Sequence, residues 1–273
     1  MPLSDEDQKR YDEQIDGIHL HWSTNEARVD DAIRGTVGLF ERAFPDRISG
    51  YYVAGSYANS SQASTSDLDL HPLFRDSIEG EERGRAREIG WLCELICPFE
   101  LGVAPKYDVN PLGYNGLFKL ATRCIYGEDK SGSWQLPEIE RYIDMAFYVG
   151  PLQNLRGGWV TYPAKYPNPE SEFYGYDCRE VISLSGDVEP RGLKDLVGVV
   201  YAVLIPLIAR ETSNYVASKH QAFTTHGDVV GGRWTSLVED VWRLCRQEWA
   251  YRVPEDEQSR RKLKAYWHSR RTT

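Results

Sequence analysis

The sequence predicts an α+β chain in which strands and helices alternate through the first half and helices fill the second. Three observations carry that expectation. Residues 48–74, ISGYYVAGSYANSSQASTSDLDLHPLF, pattern as strand, tight turn and strand, with β-branched and aromatic residues in the first arm. Helical spacing flanks this unit: Val29, Ala32, Ile33, Val37, Phe40 and Phe44 precede it, and the stretch 79–97 follows it. From Leu136 onward the long patterns are helical.

At 273 residues the chain has room for two modest domains, and a boundary is expected where Gly132 and Ser133 interrupt the pattern, giving domains of 1–135 and 136–273. With 41% hydrophobic and 27% charged residues it reads as a folded chain. The longest apolar run, 196–209, contains Pro206 and is too short to span a bilayer. The opening MPLSDEDQ is acidic where a secretory signal would be basic and then apolar, so no membrane association and a cytoplasmic location are expected. Five cysteines without Cys-x-x-Cys spacing suggest neither a zinc site nor a disulfide framework. A net charge of -9 argues against a nucleic-acid surface, which needs clustered Lys and Arg, and is compatible with a cationic small substrate.

Taken in order, Thr24 is the expected N-cap of the first helix, which ends before Pro45. His19 and His21 alternate just before it and read as part of a packed segment. The strand 48–54 ends at Gly55-Ser56, where small residues let backbone amides approach a ligand. Ten residues later comes Ser66-Asp67-Leu68-Asp69-Leu70. Side chains alternate along a strand, so Asp67 and Asp69 share one face while Leu68 and Leu70 enter the core. Two carboxylates that close repel, and the remedies are a shared proton or a divalent cation. Hard oxygen ligands favour magnesium, held by one or two carboxylates together with substrate phosphates.

Helix 79–97 begins with EGEERGRARE, most simply a solvated face, and Pro98 closes it. A strand is expected over 99–111, carrying Glu100 and Asp108. Residues 113–124 have helical spacing, Ile125-Tyr126-Gly127-Glu128-Asp129 follows, and further helices are expected over 136–149, 193–210, 233–252 and through Lys262, Leu263 and Trp267. The stretch 159–176, dense in Pro and Tyr, reads as an irregular connection.

Gly55-Ser56, ten residues, then Asp67-Leu68-Asp69 resembles the signature of the nucleotidyltransferase superfamily that includes DNA polymerase beta, and the layout is similar to that of the aminoglycoside nucleotidyltransferases. The resemblance implies a nucleotidyltransferase-type mixed sheet with flanking helices, followed by an all-helical C-terminal domain. It implies that Gly55, Ser56, Ser66 and Lys219 bind the nucleotide and that Asp67 and Asp69 hold magnesium. A third carboxylate comes from a later strand, for which Asp108 is preferred and Glu100 is the competitor. The catalytic set is then Asp67, Asp69 and Asp108, with two Mg2+ ions and ATP as co-substrate. The chain departs from the family in having Asn59-Ser60-Ser61 where a glycine often follows the turn, and it lacks a convincing match for an upstream phosphate-binding arginine.

The function so implied is transfer of AMP from ATP to a hydroxyl of a small, cationic acceptor of the aminoglycoside type. Two rival expectations use the same residues: a toxin-like adenylyltransferase acting on protein or tRNA, and a degenerate module that binds nucleotide without catalysis.

Overall fold

A computed structural model describes residues 17–107, 114–147, 172–173, 175–177 and 179–269. The chain divides into two compact units, one of Met1–Gln62 with Asp67–Leu136, the other of Ala63–Ser66 with Pro137–Thr273.

The first unit is built on a five-stranded mixed sheet. Helix α1 (Ala27–Ala43) leads into β1 (Ile48–Ala54), a single helical turn (Gly55–Ala58) and β2 (Leu68–Phe74). Helix α2 (Gly80–Ile96), β3 (Leu101–Val103), β4 (Lys106–Tyr107), α3 (Tyr114–Ala121) and β5 (Thr122–Gly127) complete it. β1 lies between β2 and β5, antiparallel to both, and β3 and β4 add to the far side of β2 in parallel. The α+β class and the mixed sheet are therefore present.

Periodicity explains the layers. Tyr51 and Val53 of β1 share a face with Leu68, Leu70 and Phe74 of β2, all fully buried. The apolar stripe of α1, Val29, Ile33, Val37 and Phe40, is equally buried. Phe44 meets the Phe74 ring edge-on at 5.2 Å, and the Tyr51 hydroxyl donates to Glu41 at 3.0 Å, so this stripe lies against that face. On the opposite face Tyr52, Leu73, Cys124 and Trp134 form a second cluster with Phe118 packed against it.

Several local expectations change in detail. Thr24 does not cap α1; the flanking residue is Glu26, and Thr24 donates both its amide and its hydroxyl to the buried Asp30, at 2.9 and 2.7 Å. His21 attaches to the β5 strand, its amide donating to the Ile125 carbonyl and its ring to the Gly127 carbonyl, each at 2.8 Å. The strand expected over 99–111 is interrupted between Val103 and Lys106, where Pro105 has no amide to donate. Arg83 and Arg85 sit over the rings of Tyr107 and Phe44, at 5.3 and 5.6 Å.

The second unit contains α4 (Ile139–Phe147), β6 (Arg179–Ile182), β7 (Val188–Gly192), α5 (Lys194–Thr212), α6 (Lys219–Val229), α7 (Thr235–Asp240) and α8 (Glu257–Ser269). It is not all-helical as expected, because β6 and β7 pair antiparallel. β-branched Val181, Ile182 and Val188 flank a turn in which Gly186 takes φ +91°, which is hairpin chemistry. The single helix expected over 233–252 is also divided. After α7 the backbone widens into a π-helix over Val241–Glu248, closed by a Trp249 amide bonded five residues back to the Leu244 carbonyl at 2.8 Å. Phe223 of α6 stacks on Trp242 at 4.9 Å within this unit's core. The expected irregular connection lies mostly outside the described residues. No helix among those described is long and apolar enough to cross a membrane.

The packing of α1 on the sheet generates a stability prediction. Phe40 is fully buried, so Phe40→Ala removes an aromatic ring from a filled layer and should cost about 3–5 kcal/mol in chemical denaturation. An unchanged midpoint would show that the stripe does not hold the sheet.

Candidate functional site

The site grows out of two neighbouring strands and the turn between them. β1 ends at Ala54, and Gly55 takes φ +67°, a left-handed conformation that admits glycine without the steric penalty of a side chain. Ser56 follows inside the helical turn, and its carbonyl accepts from the Ser61 amide at 2.9 Å. Where the family often has glycine, Ser60 itself takes the left-handed form at φ +56°. The Asn59 side chain accepts from both the amide and the hydroxyl of Ser61, so local hydrogen bonds stabilise the bend that glycine would otherwise permit.

Asp69 sits on β2 between two short neighbours, pairing with Ala54 of β1 and Gly102 of β3. A Cβ built on Gly102 would lie 3.2 Å from Asp69 Oδ1, and one built on Gly55 would lie 3.8 Å from Oδ2. The carboxylate thus occupies a slot with a glycine on each side. Asp67 immediately precedes β2, half-buried like Asp69. The Leu68 amide donates to the Glu100 carbonyl at 2.9 Å, the ladder bond of the Leu68–Leu101 pair, so Glu100 immediately precedes β3 as Asp67 immediately precedes β2.

The other expected residues are dispersed. Ser66 groups with the second unit, where it is buried; its hydroxyl accepts from the Ala63 amide at 2.9 Å and from Arg246 Nη2 at 3.5 Å. Lys219 also belongs to the second unit, at the first position of α6. Ser218 caps that helix by accepting from the Gln221 amide at 3.1 Å, and Gln221 returns a carbonyl oxygen to the Ala217 amide at 2.8 Å. Asp108 lies outside the described residues.

Two residues that sequence reasoning did not single out share the aspartate face. His71 is two positions beyond Asp69, and burial holds its pKa down at about 4, against a bond to the Ala104 carbonyl that works the other way. That 3.0 Å bond fixes the proton on Nδ1, since a carbonyl can only accept, and leaves Nε2 as an acceptor. The ring stands edge-on to Phe118 at 5.2 Å. Lys106, opposite Leu73, is drawn below the usual lysine range by burial and pushed back up by Asp69. The period-two count from Asp67 reaches His71 directly; Lys106 needed the cross-strand register.

Among the described residues no three His, Cys, Asp or Glu side chains are grouped to hold a metal. The pair that is present consists of hard carboxylate oxygens beside a glycine slot. Such a donor set fits a cation that draws its remaining ligands from water and substrate phosphates. Comparison with protein-family models and with curated proteins finds no match for the chain.

The buried imidazole makes the site's stability pH-dependent. His71 binds a proton near pH 6.5 in the unfolded chain and near 4 in the folded one. Between those values the unfolded chain holds more protons, so stability falls as pH drops from 6.5 toward 4, by up to about 3 kcal/mol. Denaturation profiles across that range should show the slope, and His71→Leu should flatten it.

Proposed function

We propose that the chain is a magnesium-dependent nucleotidyltransferase that transfers a nucleoside monophosphate, AMP from ATP, to a hydroxyl of a small cationic acceptor of the aminoglycoside type. The observation that carries the proposal is the slot at Asp69, a carboxylate between Gly55 and Gly102, with Asp67 two residues earlier, just before the same strand. A glycine inside a strand, as at Gly102, weakens the sheet and serves close approach by a ligand.

In this reading Asp67 and Asp69 hold Mg2+, which when bound supplies charge neutralisation of the leaving pyrophosphate and activation of the acceptor hydroxyl. Gly55 presents its backbone close to the phosphates, and Ser56 adds a hydroxyl donor. A third carboxylate orients the acceptor hydroxyl and takes its proton. Asp108 fills that role by resemblance, while Glu100 immediately precedes β3, the strand that pairs with β2. Lys219 adds a phosphate contact by resemblance. The acceptor's positive charge is supported by the net charge of -9.

Purified protein with Mg-ATP should release pyrophosphate when offered a panel of aminoglycosides and related aminocyclitols. Asp67→Asn and Asp69→Asn should each lower that rate at least about 100-fold, the scale of several kcal/mol of lost charge stabilisation. Asp108→Asn and Glu100→Gln compared side by side identify the third carboxylate as the one whose loss is equally severe. Pyrophosphate release that survives both aspartate substitutions would overturn the assignment. Nucleotide binding indifferent to magnesium, without turnover, would support a degenerate binding module instead.

A further inference from the structure

The sheet face that carries the aspartates extends past them. β3 and β4 keep one register against β2: Leu101 stands opposite Leu68, Gly102 opposite Asp69, Val103 opposite Leu70 and Lys106 opposite Leu73. Cross-strand partners point to the same side, and alternate residues share it. Gly102, Ala104 and Lys106 therefore line the aspartate face in succession. The first two carry at most a methyl group, and this row runs from beside Asp69 to Lys106. Four residue steps separate the levels of Asp69 and Leu73, about 13 Å of backbone. The lysine stem shortens that interval to one a phosphate chain can bridge. His71 lies between, neutral, with Nδ1 committed to the Ala104 carbonyl at 3.0 Å. The Lys106 ammonium is half-buried, and its charge is felt by both Asp69 and His71. A partly desolvated ammonium on a flexible stem is a point-charge donor suited to phosphate oxygens.

We propose that Lys106 binds the phosphate chain of the nucleotide, laid along this row from the aspartates toward β4. The inference rests on the nucleotidyltransferase reading and adds to it a phosphate ligand within the catalytic unit. Its role is in binding charge, so substitution should raise KM for the nucleotide before it lowers kcat.

The test is calorimetric binding of Mg-ATP, magnesium tripolyphosphate and adenosine to the full chain and to Lys106→Met and Lys106→Arg. Lys106→Met should weaken both phosphate ligands about 10-fold or more while leaving adenosine binding unchanged, and Lys106→Arg should recover most of the loss. Lys106→Gln serves if the methionine variant does not fold. Mg-ATP binding unchanged in Lys106→Met, or loss of adenosine and Mg-ATP in equal measure, overturns the role of Lys106 and leaves the nucleotidyltransferase reading standing. A wild-type chain that binds neither Mg-ATP nor tripolyphosphate overturns both.

Discussion

Two carboxylates on the same face of one strand repel, and a fold that holds them there must meet the cost of bringing like charges out of water. Much of the first unit can be understood from that constraint. β2 is clamped between an antiparallel and a parallel neighbour, so the aspartate backbone cannot relax away from the repulsion. The opposite side of the strand is anchored by Leu68, Leu70 and Phe74 in a fully buried layer, which fixes which face the acids occupy. Gly102 and Gly55 keep that face open beside Asp69, and Lys106 contributes positive charge to it. A divalent cation completes the balance in the reading offered above.

The polar face and the aromatic cluster beside it divide one side of the sheet between them. Tyr52 packs on Trp134 and Phe118, at 5.1 and 5.7 Å, and its hydroxyl accepts from the Lys130 amide at 2.6 Å. Burial raises the Tyr52 hydroxyl well above the ordinary tyrosine pKa, so it stays neutral and apolar contacts dominate there. Phe118 reaches from that cluster to the edge of the His71 ring. A neutral, half-buried imidazole thus lies between the aromatic cluster and Asp69.

What the sequence disclosed is what local pattern encodes. α1 was legible from Val29, Ile33, Val37 and Phe40, and the alternation of Leu68, Asp69 and Leu70 from period two, because both depend on neighbours a few residues away. Pairing across the sheet is different. Nothing local says that Gly102 lies opposite Asp69 or Lys106 opposite Leu73, so the slot and the row that ends at Lys106 became visible only with the register. The β6–β7 hairpin was overlooked because its strands are short and sit among helical signals. The π-helix after α7 keeps an apolar face close enough to helical spacing to pass for a continuous α-helix. At Ser60 the absence of glycine was legible as a departure, while the stapling by Asn59 that makes it workable was not.

The proposed chemistry requires Asp67 and Asp69 to form a cation site for the nucleotide. A crystal structure of the chain with manganese and a non-hydrolysable ATP analogue tests it most directly. The account predicts an anomalous peak about 2.0–2.3 Å from carboxylate oxygens of both Asp67 and Asp69, with phosphate oxygens on the same ion. A bound analogue whose manganese touches neither aspartate, or an ion site elsewhere on the chain with these two carboxylates uninvolved, would contradict it.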